Sequence, residues 1–145
     1  MPDAIVSDIS TSDVPAQVAI AIEGITEPTI LRYFELLNAG DFEATSQLFA
    51  PEGVMNAPFE SPIAGPEAIA AYLNQEAIGM TLLPRQGVTE VIDNDCTHVQ
   101  VAGKVQTPWF SVNVSWLFNL DAQQKILAAT VKLLASPQEL LNLRR

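Results

Sequence analysis

Along the first half of the chain, apolar residues recur every three or four positions; from Met80 onward they fall on every second one. The change of period divides the sequence into helices followed by strands. In "TEPTILRYFELLNAGD", Ile30, Tyr33, Phe34 and Leu37 stand at i, i+3, i+4 and i+7. Pro28 suits the first turn of that helix, and Gly40 its C-terminal cap. Asp41 can cap a second, short helix in "FEATSQLFA", with Phe42 and Phe49 among its apolar positions. "PEGVMNAPF" reads as a turn and a short strand. A third helix opens at "GPEAIAAYLNQEA", where Ile69, Tyr72 and Leu73 define a buried face and Glu76 falls on the same stripe. Strands are expected near 80–91, 97–107, 110–120 and 126–135, with "IDNDC" and "NLDAQQK" as turns. "SPQELLNL" reads as a closing helix with Pro137 at its first position.

Helices first and an antiparallel meander afterwards predict an α+β fold, a curling sheet covered on one face by the helices. Such a cone has a mouth and an interior suited to a pocket. Residues 1–21 show only a weak period and are expected to form an N-terminal extension; residues 22–145 form a single domain without internal repeat or linker.

The strand parities say what would face that interior. In "GKVQTPWFSVNVSW", Val105, Thr107 and Trp109 share one parity, and Phe110, Val112, Val114 and Trp116 share another. Ser111, Asn113 and Ser115 alternate with the second set and point to the opposite face. Lys104 and Lys132 likewise face away. A sheet face ending in an indole carries a hydrogen-bond donor where a plain core would be content with leucine.

Composition narrows the partners. A formal charge of −10 disfavours nucleic acid and anionic membrane surfaces, which need basic patches. No apolar run approaches the roughly 20 residues needed to span a bilayer. The start "MPDAIVSDIS" is acidic where a secretory signal would be basic, so a cytoplasmic location is expected. One cysteine, Cys96, and one histidine, His98, exclude an internal disulfide and make a transition-metal site built by one chain an unexpected feature.

The strings "EPTILRYFELLNAGDF", "PFESPIAGPEAI", "LLPRQGVTE", "GKVQTPWF" and "KLLASPQELLNLRR" resemble the C-terminal domains of the orange carotenoid protein family, within the nuclear transport factor 2-like superfamily. The resemblance runs from about residue 22 to residue 145. No all-helical carotenoid domain stands ahead of it, which implies a free-standing homologue of cyanobacterial type. By resemblance, one terminal ring of a ketocarotenoid (canthaxanthin, echinenone or similar) enters the pocket. Its carbonyl accepts hydrogen bonds from Tyr33, in "ILRYFELLN", and Trp116, in "VNVSWLF". Leu37, Leu82, Val105, Thr107, Phe110, Val131 and Leu133 would surround the ring. "PWFSVNVSW" is several residues shorter than the family's usual loop, which bears on the outer contacts rather than on the two donors.

The chemistry fits the residue types. A ketone oxygen offers lone pairs and no proton, an indole N–H only donates, and a phenol donates readily. The implied function is non-enzymatic: solubilising, carrying or transferring a carotenoid, with quenching of singlet oxygen and photoprotection supplied by the pigment. A carotenoid is longer than one small cone, so a homodimer apposing two mouths around one carotenoid is the expected assembly. A helical carotenoid protein is the alternative transfer partner, and transient membrane contact would serve pigment uptake.

Blander readings stand beside these. Tyrosine and tryptophan often serve as large core residues with one satisfied polar tip. Glu76 reads equally as helix surface, pocket rim or partner contact. Cys96, in an expected turn, reads as a free thiol or as an intermolecular disulfide, and His98 as a strand-surface residue. The superfamily also holds isomerases and small hydrolases, so an enzyme of the ketosteroid-isomerase type is the alternative function. Such chemistry needs an acid or base inside the cone. A dimerisation module with a vestigial pocket is the third reading.

Overall fold

The computed structural model describes residues 20–93 and 95–134. Most of the expected N-terminal extension, and the whole closing helix of "SPQELLNL", lie outside the described residues. Helix α1 spans Pro28–Asn38, α2 Phe42–Ser46 and α3 Pro66–Glu76. The strands are β1 (Phe49–Asn56), β2 (Ile63–Ala64), β3 (Thr81–Asp93), β4 (Cys96–Gln106), β5 (Ser111–Leu120) and β6 (Ile126–Leu134). They form one six-stranded sheet in the order β2-β1-β6-β5-β4-β3. All neighbours are antiparallel except β1 and β6, which run parallel. The α+β architecture is as the change of period predicts.

Local chemistry sets the helix ends. The Glu27 carboxylate accepts from the backbone N–H of Thr29 at 3.2 Å, and Pro28 fills a first-turn position whose N–H would lack a helical partner. Gly40 follows α1 with a φ of 79°, the left-handed conformation that ends helices and favours glycine. Asp41 caps α2, accepting from the N–H of Ala44 at 3.1 Å. Ile30, Tyr33, Phe34 and Leu37, the residues the period selects, are buried, and so is Leu36.

Two boundaries differ from expectation. "FEATSQLFA" is helical only to Ser46, and Phe49 opens β1. Phe49 pairs with Ile126, whose N–H donates to the Leu48 carbonyl at 3.0 Å. A long-range strand pairing thus overrides the local helical period. The second concerns Cys96, which begins β4 instead of lying in the turn, half-buried beside a register shift opposite Asp93.

The register builds one wall of the interior. Across the sheet run three rows: Leu82, Val105, Val112; then Gly103, Val114, Leu133; then Val101, Trp116, Val131. Helix α1 is tied to this wall by Asn38. Its side-chain oxygen accepts from the Leu82 N–H at 2.7 Å, and its amide donates to the Leu82 carbonyl at 2.8 Å. Gly103 sits where a Cβ would meet the Leu83 carbonyl oxygen and, at 2.7 Å, the Pro84 Cα. Only glycine lets β3 approach β4 so closely at that register shift.

Candidate functional site

Helices α1 and α3 and the inner face of the sheet enclose a cavity of about 230 Å³. Tyr33 reaches it from the second turn of α1, and Trp116 from the middle of β5. Both are almost wholly buried, at 1% and 2% exposure. Phe34 stands edge-on to both rings, with centroids 5.3 Å from Tyr33 at 88° and 4.8 Å from Trp116 at 82°. Phe118 adds an edge contact to Tyr33 at 5.0 Å. Perpendicular aromatic packing of this kind favours one ring orientation over another, so the two polar tips sit on a stiff frame.

Among the described residues, neither the Tyr33 hydroxyl nor the Trp116 indole N–H has a hydrogen-bond partner. Buried polar groups are ordinarily satisfied, and an unmade bond costs about 1–3 kcal/mol. Two buried donors at one cavity would suit an acceptor. Burial, and secondarily the charge of Tyr72, push the Tyr33 phenol well above the usual tyrosine range. It remains a protonated donor throughout neutral and mildly alkaline pH.

All nine residues that the sequence proposes for the site line this cavity: Tyr33, Leu37, Leu82, Val105, Thr107, Phe110, Trp116, Val131 and Leu133. Their depths differ. Leu37, Leu82 and Val105 are buried, whereas Phe110 and Leu133 are about half exposed, at 59% and 47%, and stand at the mouth. Thr107 contributes less polarity than its hydroxyl suggests. Its Oγ1 accepts from the N–H groups of Trp109 and Phe110 at 3.2 and 3.1 Å and donates to the Phe110 carbonyl at 3.0 Å. That turn ends the alternation at Gln106 and sends Trp109 into solvent, so the parity shared by Val105, Thr107 and Trp109 does not survive to the indole.

The cavity has a second wall that strand parity does not reveal. Met55 comes from β1, Pro58 from the loop after it, and Ala77 and Met80 from the turn after α3. No period marks a turn residue as inward-facing, although Met55 and Met80 have the soft, adaptable side chains common in pockets. Tyr72 and Glu76 of α3 complete the lining, the first half-buried and the second exposed. Glu76 thus takes the rim reading. No described Asp or Glu is buried, so the cavity floor carries no carboxylate.

The remaining residues singled out in the sequence stay away from the cavity. His98 is exposed on β4 opposite Glu90, and Lys104 and Lys132 are exposed on the outer sheet face. Among the described residues there is no cluster of three or more potential metal ligands, and no helix is long and apolar enough to cross a membrane.

A helix-covered curved sheet with a pocket between its layers defines a class, and comparison gives that class a name. The chain belongs to the SnoaL-like domain family, whose model matches residues 30–126, and its fold is NTF2-like. Within that fold it is a homologue of the C-terminal domain of the orange carotenoid protein. It is 39% identical over 141 residues to the orange carotenoid-binding protein of Synechocystis sp., covering 94% of this chain and 44% of that protein. Two solved structures are similarly near. The orange carotenoid protein of Anabaena (Nostoc) sp., in a structure binding canthaxanthin, is 43% identical with a TM-score of 0.81, over 92% of this chain and 44% of that one. The Fremyella diplosiphon protein OCP1 is 42% identical with a TM-score of 0.80, over 90% and 42%. The chain spans less than half the length of these relatives.

Proposed function

We propose that this protein binds the oxo-bearing terminal ring of a ketocarotenoid such as canthaxanthin or echinenone, without catalysis, and carries or transfers the pigment in the cytoplasm. The observation that carries this reading is the pair of buried donors, Tyr33 and Trp116, which have no hydrogen-bond partner among the described residues and line a mainly apolar cavity. A ketone oxygen is acceptor-only and has two lone pairs for two donors. Leu37, Leu82, Val105 and Val131 would pack against the ring, the Thr107 methyl and Phe110 against the start of the polyene, and Leu133 at the rim. Homology to proteins of the carotenoid-binding family supports the ligand class.

Size supports the assembly. The cavity is smaller than the roughly 300–1,000 Å³ of pockets that engulf a whole small ligand, so it suits an end group. The rest of a long polyene would protrude past a mouth whose neighbourhood already exposes Phe59, Trp109, Phe110 and Ile78. Two mouths apposed around one nearly symmetric carotenoid would cover both. A helical carotenoid protein would replace the second subunit during transfer, and photoprotective quenching would then be a property of the bound pigment. Expression in canthaxanthin-producing cells tests the proposal. A coloured, stoichiometric complex supports it, and colourless protein purified from pigmented cells overturns it.

A further inference from the structure

Four polar side chains of the cavity have tips not consumed by protein turns: Tyr33, Trp116, Tyr72 and Glu76. The first two serve a ketone. Tyr72 remains unexplained. It is half-buried against the core from α3, its hydroxyl has no hydrogen-bond partner among the described residues, and an apolar residue would pack there as well.

Its surroundings give that hydroxyl a direction. Glu76 lies one helical turn further along α3 on the same stripe, and Glu60 belongs to the loop after β1. Both are exposed carboxylates, Glu76 at the cavity rim, and no cation occurs among the residues lining the cavity. Burial first, and then the charges of Glu60 and Glu76, push the Tyr72 phenol above its ordinary value, so it stays a neutral O–H. Hydroxyl dipoles orient in the local field. With Glu76 at the rim and Glu60 exposed nearby in charge terms, a Tyr72 proton turned toward solvent would leave the oxygen lone pairs for the interior. Tyr33 and Tyr72 line the same cavity. One cavity lining would then hold two donors and an acceptor.

We propose, resting on the ketocarotenoid reading above, that Tyr72 accepts a hydrogen bond from a hydroxyl on the ring carbon next to the ketone, so that the site prefers an α-hydroxyketone end ring to a plain ketone. A ketone alone uses Tyr33 and Trp116 and leaves Tyr72 unmatched. A ring with the adjacent hydroxyl satisfies all three with the required complementarity of donors and acceptors. Glu60 and Glu76 act through Tyr72, as positioning residues.

Competition between canthaxanthin and astaxanthin, which differ only by a hydroxyl beside each ketone, tests this. Equimolar mixtures offered to the full chain are expected to yield a roughly 2- to 13-fold preference for astaxanthin, the range of one net hydrogen bond. Tyr72→Phe should reduce the ratio to near one while leaving the absorption maximum of bound canthaxanthin unmoved. The double variant Glu60→Gln, Glu76→Gln, confined to exposed residues, should narrow the ratio in the same direction, and it decides the matter if Tyr72→Phe fails to fold. Equal uptake by the unaltered protein, or a preference that survives these variants, overturns the proposal while leaving the ketone site intact. If neither pigment binds the unaltered protein, or if Tyr33→Phe and Trp116→Phe leave the canthaxanthin spectrum unmoved, the ketocarotenoid reading fails and this inference with it.

Discussion

Tyr33 and Trp116 both line the cavity and are buried, and the donor role proposed for each separates by substitution. Tyr33→Phe and Trp116→Phe delete a donor while retaining most of the ring volume. Each is expected to weaken canthaxanthin binding roughly 2- to 13-fold, the range of one net hydrogen bond. Each should also move the bound absorption to shorter wavelength, because donation to a carbonyl conjugated with the polyene draws electron density toward that end. Titration of stability gives an independent check on Tyr33. Its phenol is raised above the unfolded value of about 10, so above that pH the unfolded chain loses a proton that the folded protein keeps. The Tyr33 contribution to stability is therefore complete below pH 10 and declines as pH rises beyond it. The limit is about 1.4 kcal/mol per pH unit. Alkaline denaturation midpoints should fall steeply for the parent chain and less steeply for Tyr33→Phe.

At the scale of elements, the site depends on how α1 meets the edge strand β3. Asn38 makes both hydrogen bonds of a peptide-like pair to Leu82, and Leu82 itself lines the cavity. Asn38→Ala leaves the Leu82 N–H and carbonyl without these partners and is expected to destabilise the fold by about 1–3 kcal/mol. The loss should appear in urea unfolding with an unchanged slope. Gly103→Ala pushes a methyl into the backbone of Leu83 and Pro84, so β3 must move away from β4. A cost of about 1–3 kcal/mol is expected, with looser pigment binding because Leu82 moves with its strand. Neither effect is visible in a hydrophobic period: an asparagine near a helix end reads as a cap, and a glycine in a strand reads as a weak point.

For the whole molecule, the exposed aromatic surroundings of the mouth become the question. Phe59 is 94% exposed and holds a φ of 66°, a conformation uncommon for bulky residues, and Trp109 is 84% exposed. Light scattering is expected to give one pigment per two chains in the coloured complex. Trp109→Ser with Phe110→Ser should shift that complex toward monomers while the melting temperature of the pigment-free chain changes little, since exposed substitutions are usually worth within about 0.5 kcal/mol. A pigment-loaded monomer of normal stability and colour would show that the mouth does not need a second copy.

Apart from the two-residue strand β2, the order of helices and strands, most strand ends and the inward set on α1, β4 and β5 are legible in the sequence, because a period of 3.6 or 2 forces alternate residues onto one face whatever lies opposite. The donor pair was legible only through resemblance, since nothing in either period distinguishes Tyr33 or Trp116 from ordinary core aromatics. What the tertiary structure alone decided is long-range. It ended α2 at Ser46 by pairing Phe49 with Ile126, and it brought Met55, Pro58, Ala77 and Met80 into the second wall. It also turned the Thr107 hydroxyl onto its own loop and set Tyr72 and Tyr33 in one cavity lining. Each of these depends on contacts between residues far apart in the chain or on loop geometry, and no local pattern of apolar and polar positions encodes them.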